Sequence, residues 1–290
     1  NDGPRPHIAG CVENDSTFLY LVWSDDATGI LRVKLARSIN GNDFQDMGFV
    51  DHNASRVNRH SSIVLNNRGH LLIAWAYGTS GTNQDPHPLI AFNKSTDRGE
   101  TFFDDDSIVV DNPLDEVYRG NPSITFTKRD STIIITWEDC RRQGGNEYPD
   151  IYFTRSRDEG QSFLKPNLMV NWVQDTAKLY NNYRVKVAMD PEGRMAVSWH
   201  SDPEKDGEFG IYMCAYDDSI GKFGLSQPIS IDTMETFTGD NPGSFGNNFY
   251  PPGLRVANVN GITNFFMVWK DMNYDTLGNI YFVRGKVLVS

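Results

Sequence analysis

The sequence predicts an all-β fold made by repeating one four-stranded antiparallel unit. Three observations carry that reading. A tryptophan closes a short apolar strand at Trp23, Trp75, Trp137, Trp199 and Trp269, with neighbours about fifty to seventy residues apart. Around each Trp the same order recurs: a strand of small and branched residues, the Trp strand, a strand such as Asp150-Ile151-Tyr152-Phe153 or Gly210-Ile211-Tyr212-Met213, and a short outer strand. Turn residues stand where the first reversal of a unit is needed, in Asn66-Asn67-Arg68-Gly69, Asp190-Pro191-Glu192-Gly193 and Asn258-Val259-Asn260-Gly261. Four strands in an up-and-down meander, repeated about an axis, make a β-propeller.

The units follow one another along the chain. The first takes Pro6 to Ala9, Leu19 to Trp23, Leu31 to Ala36 and Met47 to Val50. The second takes Ser62 to Leu65, Leu71 to Trp75, Leu89 to Asn93 and Ile108 to Val110. The third takes Ser123 to Phe126, Ile133 to Trp137, Ile151 to Arg155 and Leu168 to Val170. The fourth takes Val185 to Ala188, Met195 to Trp199, Ile211 to Tyr216 and Ile229 to Ile231. The fifth takes Leu254 to Val259, Phe265 to Trp269, Ile280 to Val283 and Lys286 to Val289. Residues 1–290 therefore read as a single propeller domain of five blades. The alternative is six, with a degenerate unit between Tyr216 and Tyr250, where Thr238-Gly239-Asp240-Asn241-Pro242-Gly243 otherwise reads as a long loop.

Composition narrows the partners. A formal net charge of −11 argues against nucleic acid and anionic membranes, which both call for a basic face. No apolar run is long enough to cross a bilayer, and Asn1-Asp2-Gly3-Pro4 is not a signal peptide. Cys11, Cys140 and Cys214 are too few and too scattered for a disulfide framework and read as small buried or half-buried side chains. The six histidines show no metal spacing such as H-E-x-x-H, so neither metal nor cofactor is expected.

Two octapeptides share the pattern S-x-D-x-G-x-x-F: Ser95-Thr96-Asp97-Arg98-Gly99-Glu100-Thr101-Phe102 and Ser156-Arg157-Asp158-Glu159-Gly160-Gln161-Ser162-Phe163. Each leaves the third strand of its unit. An Asp there can accept bonds from turn N–H groups and from the Ser hydroxyl, Gly supplies a backbone angle closed to other residues, and the aromatic packs beside the hairpin. Ser38-Ile39-Asn40-Gly41-Asn42-Asp43-Phe44 is a weaker third copy, with Asn for Asp and a displaced Gly. These octapeptides resemble the Asp-box, or BNR repeat, of the sialidase-like β-propellers. In that family the box is a structural turn, so the resemblance bears on fold more than on activity.

The meander sorts residues between two faces. If inner strands start on one face, Trp strands end on that same face, and the octapeptides lie on the opposite one. An arginine stands at or just before the start of each inner strand: Arg5, Arg59, Arg119, Arg184 and Arg255. Inner strands converge on the axis, so several guanidinium groups can meet one anion, and planar two-pronged donors suit a carboxylate or sulfate. Acids follow the Trp strands on that face at Asp25, Asp26, Glu138, Asp139, Asp202 and Asp271. The recurring W-x-D reads first as an Asp capping its own turn. Aromatics on the same face, among them Tyr77, Tyr118, Tyr148, Trp172, Tyr180, Tyr183 and Phe249, suit the apolar faces of sugars.

The resemblance adds roles to some of these residues. Arg5-Pro6 matches the family's first carboxylate-binding arginine, and Asp25 or Asp26 its general acid. A sialidase also needs a Tyr nucleophile activated by a Glu, an exception to the two-carboxylate scheme. Tyr250, before the fifth inner strand, is the best-placed candidate, with Tyr183 next. No Glu stands at the family's spacing before Arg184 or Arg255, which leaves the activating base unassigned. The resemblance thus implies a secreted or cell-surface propeller that binds, or binds and hydrolyses, an acidic carbohydrate or glycoconjugate through Arg5, Arg59, Arg119, Arg184, Arg255 and Tyr183. The alternative is a non-catalytic interaction or adhesion module alongside flanking domains.

Overall fold

The computed structural model describes residues 6–78, 88–114, 116–127, 131–142, 148–171, 181–202, 210–217, 222–224, 227–228, 252–271 and 279–286. Five antiparallel sheets follow one another along these residues. Sheet 1 holds β1 (His7–Glu13), β2 (Ser16–Asp25), β3 (Arg32–Ile39) and β4 (Gln45–Phe49). Sheet 2 holds β5 (Asn58–Leu65), β6 (Leu71–Tyr77), β7 (Leu89–Ser95) and β8 (Ser107–Ile108). Sheet 3 holds β9 (Arg119–Phe126), β10 (Ile133–Asp139), β11 (Asp150–Ser156) and β12 (Leu168–Met169). Sheet 4 holds β13 (Asn181–Met189), β14 (Met195–Asp202), β15 (Gly210–Asp217), β16 (Lys222–Phe223) and β17 (Gln227–Pro228), the last two both pairing with β15. Sheet 5 holds β18 (Gly253–Val259), β19 (Ile262–Asp271) and β20 (Asn279–Lys286).

Strand order within each sheet is the sequence order, the up-and-down meander expected of the repeat. The strand expected at Ile229 to Ile231 lies outside the described residues, as does the segment after Lys286. Four apolar cores hold the sheets face to face, one between each consecutive pair from sheet 1 to sheet 5. The first strands β1, β5, β9, β13 and β18 line the inside. On neighbouring inner strands, Ser62 Oγ accepts the Ile124 N–H (3.3 Å) and Ser123 Oγ accepts the Val187 N–H (3.2 Å). Across the inside, Lys186 Nζ comes within 3.4 Å of His7 Nε2 and links sheet 4 to sheet 1.

The two octapeptides fold identically. In the second, Asp158 Oδ1 accepts the Ser156 hydroxyl (2.7 Å) and the Ser162 N–H (2.9 Å), Asp158 Oδ2 accepts the Ser162 hydroxyl (2.5 Å), and Ser156 Oγ accepts the Gly160 N–H (2.7 Å). Asp97 repeats the set with Ser95, Thr101 and Gly99. Partial desolvation works to raise the Asp158 pKa, but the bonds from Ser162 and Ser156 outweigh it and hold the carboxyl down at about 2. Two consecutive left-handed residues make each turn, Arg98 and Gly99 in one and Glu159 and Gly160 in the other. Asn40 and Gly41 repeat the left-handed pair in the weaker copy, where Asn40 Oδ1 takes the Thr17 N–H from β2.

These turns also join each sheet to the one before it. A methyl at Gly160 would run into the Phe92 ring, and one at Gly99 into Leu35. The Arg98 carbonyl accepts from Arg37 on β3 (3.1 Å), and the Glu159 carbonyl accepts from Lys94 on β7 (2.7 Å). Arg37 and Lys94 each stand two residues past Leu35 and Phe92, so one repeat position supplies both cations. Phe163 completes the contact, edge-on to Phe92 with centroids 5.2 Å apart.

Removing the acceptor tests the turn itself. Asp158→Ala should cost about 1–3 kcal/mol in chemical denaturation, because the Ser162 and Ser156 donors lose their partner. The folded-state pKa of Asp158 is depressed, so its contribution is present above the unfolded carboxylate range and is lost as pH falls toward 2. The variant should therefore show a flatter acid limb than the parent, and an unchanged limb would reject the role.

Glycine substitution separates backbone angle from packing. Gly41→Ala meets open space at φ +75 and should cost about 1–2 kcal/mol, the left-handed term alone. Gly160→Ala adds the Phe92 collision and should cost measurably more in the same denaturation series. Equal losses at the two sites would show that the Phe92 contact contributes nothing.

Candidate functional site

The Trp residues set the geometry at the end of the molecule where the inner strands begin. Trp75, Trp137 and Trp199 are wholly buried, so each indole N–H needs an acceptor. Trp75 donates to Asn58 Oδ1 (3.1 Å) and Trp199 to Asn182 Oδ1 (3.0 Å), both from the start of the inner strand. Trp137 donates instead to Asp139 Oδ2 (2.8 Å) and Trp23 to Asp25 Oδ2 (3.3 Å), both two residues on in the same strand.

Opposite each of these three buried tryptophans the inner strand carries an extra residue. The register shifts between Arg59 and Ser62, between Gly120 and Ser123, and between Tyr183 and Lys186. Such bulges re-aim side chains. The bulged residues are His60 (φ 56), Asn121 (φ 48) and Arg184 (φ 58), all left-handed and none a glycine. Left-handed backbone at His60 and Arg184 costs on the order of 1 kcal/mol or more each and persists only where its surroundings enforce it.

The three bulges ring a shallow, solvent-open depression on the axis. It is lined by His7, His60, Ser61, Asn121, Pro122, Arg184, Val185 and Lys186. Among the described residues the lining carries two cations and two histidines and no carboxylate. Behind it lies Glu138, fully buried, whose Oε1 accepts the Arg184 N–H (2.6 Å) and whose Oε2 accepts Asn121 Nδ2 (2.8 Å). Glu138 thus fixes two of the bulges, while the Arg184 guanidinium reaches Asn121 Oδ1 (3.0 Å) and pairs with no acid among the described residues. Ser61 Oγ is buried and has no hydrogen-bond partner among the described residues. Tyr118 packs over Gly120, where any Cβ would strike its ring, and its hydroxyl stands 3.5 Å from Glu138 Oε2.

No protein-family model matches the sequence, and no curated protein does. Solved structures do match. A protein of unknown function from Dyadobacter fermentans aligns over 99% of this chain and 80% of its own, with a TM-score of 0.61 at 10% identity. An α-L-arabinofuranosidase from Fusarium graminearum, solved with an iminosugar inhibitor, aligns over 92% of this chain and 79% of its own, at 0.61 and 13% identity. An α-L-arabinanase from Penicillium chrysogenum, solved with arabinobiose, aligns over 90% and 76%, at 0.59 and 13%. The chain has the β-propeller fold.

Within the propeller the arginines at the inner strands part company. Arg184 lines the axial depression. Arg119 has no exposed surface: its Nε donates to Asp139 Oδ2 (3.1 Å) and its guanidinium also reaches the Asn112 carbonyl (3.1 Å). Arg141 joins the same Asp139 oxygen at 2.6 Å, so one buried carboxylate serves Trp137 and two arginines. Arg59 pairs in register with Ala76 and is half-buried outside the depression. Arg255 is the third residue of β18, opposite Phe266, exposed, with a guanidinium nitrogen on the Leu254 carbonyl (3.0 Å). Arg5 and Tyr250 lie outside the described residues.

The remaining expected residues fall outside the depression too. Asp25 holds the Trp23 indole with one oxygen and the Ala27 N–H (2.8 Å) with the other, a capped turn. Asp26 is exposed beside it. Tyr183 sits on β13 opposite His200, next to Arg184 in sequence but not on the depression wall. His7, His60, Ser61, Asn121 and Lys186 form the wall without having been expected there. Counting from the Trp would have found two of them, since His60 and Asn121 face Trp75 and Trp137 as Arg184 faces Trp199.

The buried ion pair at Arg119 gives a direct test of what that arginine does. Arg119→Ala should destabilise the propeller by about 3–5 kcal/mol, because Asp139 keeps its charge in the interior with one partner fewer. Arg255→Ala, on an exposed side chain, should stay within about 0.5 kcal/mol. Thermal and denaturant unfolding of both variants would check the contrast, and similar small losses would place Arg119 in a different role.

Proposed function

We propose that the protein binds a carbohydrate in the axial depression and that the ligand carries a negative charge. The observation that carries this reading is Arg184, held left-handed by a bulge so that its guanidinium lines a depression with no acid among the described residues. Lys186, His7 and His60 add donors around it, and Ser61 adds a buried hydroxyl with no protein partner among the described residues. A carboxylate-bearing sugar fits this set: the guanidinium fork takes the carboxylate, and Asn121 and Ser61 take hydroxyl groups. Two proteins sharing the fold are an arabinofuranosidase and an arabinanase, which supports a carbohydrate but not the charge. In this reading the chain contributes five blades, one per sheet, and acts in a secreted or cell-surface setting, as the resemblance to sialidase-like propellers implies.

One observation favours a second reading, hydrolysis. Tyr118 and Glu138 pair beside the depression, and a Tyr hydroxyl next to a buried carboxylate is a nucleophile with its base at hand. A phenol approaches an anionic sugar without the repulsion a carboxylate would meet.

Calorimetric titration with sialylated and uronic-acid oligosaccharides, and with arabinobiose as the neutral counterpart, tests both readings. Anionic sugars should bind with an affinity that falls as salt rises. Arg184→Ala should weaken them by about 1.5–3 kcal/mol, and Arg184→Lys should recover only part of the loss. If turnover accompanies binding, Tyr118→Phe should abolish it and leave affinity in place. Tight, salt-independent binding of arabinobiose that ignores Arg184→Ala would overturn the charge assignment.

A further inference from the structure

The repeat allows one residue position to be compared across all five sheets, and the comparison exposes two unfinished surfaces. On the third strand, the residue paired with the position before the Trp is Leu35, Phe92, Phe153, Met213 and Phe282 in turn. The first four are at most 8% exposed and pack against the next sheet, whereas Phe282 is 67% exposed. Two residues earlier the series is Val33, Ile90, Ile151, Ile211 and Ile280. Its first four members have no exposed surface, and Ile280 is 70% exposed. Sheet 5 therefore carries the forward-facing apolar residues of every other sheet, and among the described residues no sheet packs on them.

Sheet 1 shows the mirror deficiency. The inner-strand residue paired two before the Trp is Ile8, Ile63, Ile124, Val187 and Leu254. The last four pack against the preceding sheet at 7% exposure or less, while Ile8 stands at 61%. Trp23 is half-buried where Trp75, Trp137 and Trp199 are fully buried, and Val12 is exposed on the same side. Four apolar cores join five sheets, and among the described residues none joins sheet 5 to sheet 1.

We propose that these two faces are the walls of a slot for one further four-stranded β-sheet of the same repeat, contributed by polypeptide outside these 290 residues. The chemistry required of the occupant follows from the walls. It must be apolar on both sides, because Phe282, Ile280 and Val268 face it from sheet 5 and Ile8, Val12 and Trp23 from sheet 1. On the side toward sheet 5 it must also offer a carboxylate or carbonyl to Arg255 and Arg284, which share a row with Phe266 on the bare face. Continuity with four established interfaces selects a sheet rather than a helix or loop, since each wall repeats positions that elsewhere receive a sheet. The Dyadobacter fermentans structure agrees in length: it matches 99% of this chain and leaves a fifth of its own outside the match.

Hydroxyl-radical footprinting read by mass spectrometry tests the slot. In the 290-residue chain Ile8, Trp23, Ile280 and Phe282 should be labelled several times faster than Ile124, Trp137, Ile151 and Phe153. Two extended chains then supply an occupant, one repeating residues 51–114 after Ser290 and the other repeating residues 111–171. In at least one of them labelling at Ile8 and Phe282 should fall together to the level of their buried counterparts, and Phe282→Asp in that chain should restore both. Slow labelling of Ile8 and Phe282 in the monomeric parent would mean that sheets 5 and 1 close on each other, and overturns the proposal. Protection that rises with concentration alongside a dimer in sedimentation velocity would assign the faces to a second copy and overturns it equally. So would failure of both extensions to protect the two faces together.

Discussion

The structure depends on burying a tryptophan at the end of the second strand in sheets 2, 3 and 4 without leaving its indole N–H unpaired. A bulky ring at that level fills the space between sheets, and an unsatisfied buried donor costs about 1–3 kcal/mol. The chain solves the donor problem twice over, with Asn58 and Asn182 from the inner strand or with Asp25 and Asp139 from the Trp strand itself. In sheets 2, 3 and 4 the inner strand opposite the ring also gains a residue, and that residue is turned to the left-handed region. The depression on the axis is the sum of three such bulges. Its polar lining is a consequence of how the tryptophans are packed.

The same constraint explains which parts of the site could be read in the sequence. The Trp repeat and the turn residues announced the meander, and the strands of the first three sheets fall at the expected segments, whereas the outer strand expected at Ile229 to Ile231 lies outside the described residues and Lys286, expected to open another, ends β20. W-x-D was legible as a capped turn, and Asp25 and Asp139 each do that while holding an indole. The arginines were not legible, because nearness to an inner strand does not fix register. Arg119 pairs two residues beyond the Trp, Arg59 one beyond it, and Arg184 faces the Trp itself. A shift of one residue turns a side chain from one side of a strand to the other, so three arginines in similar sequence settings end in three environments. His60 and Asn121 carry no signature of their own and become visible only when positions are counted from Trp75 and Trp137.

The two ends of the sheets divide the work. At one end Ser95 and Ser156 start the octapeptides, opposite Leu71 and Ile133 where the second strands begin. There the left-handed residues are fully satisfied: Asp97 and Asp158 take the turn donors, and Arg37 and Lys94 take the carbonyls. At the other end the left-handed bulge residues are His60, Asn121 and Arg184; Glu138 holds the last two, which also bond each other, and all three line an open depression. Backbone conformations of the same kind are thus spent on cohesion at one end and on display at the other. The cohesive end ties each sheet to the one before it through Arg37 and Lys94 on the third strands, away from the strained residues at the other end.

Charge follows the same division. The chain carries −11 overall, yet among the described residues the axial lining contains Arg184, Lys186, His7 and His60 and no carboxylate. An anion approaching from afar meets net repulsion, but at physiological ionic strength that field decays over about 8 Å. Inside the depression the nearest charges are cationic, and Glu138 behind the wall is already engaged by the Arg184 N–H and Asn121. Salt therefore acts in opposite senses on the two stages: it eases the approach by screening the body of the protein and weakens the contact by screening the guanidinium. Contact lies within the screening length and in a partly desolvated pocket, where each interaction is stronger than at the surface. The equilibrium should accordingly follow the local cations, while the net negative charge shows itself in the association rate.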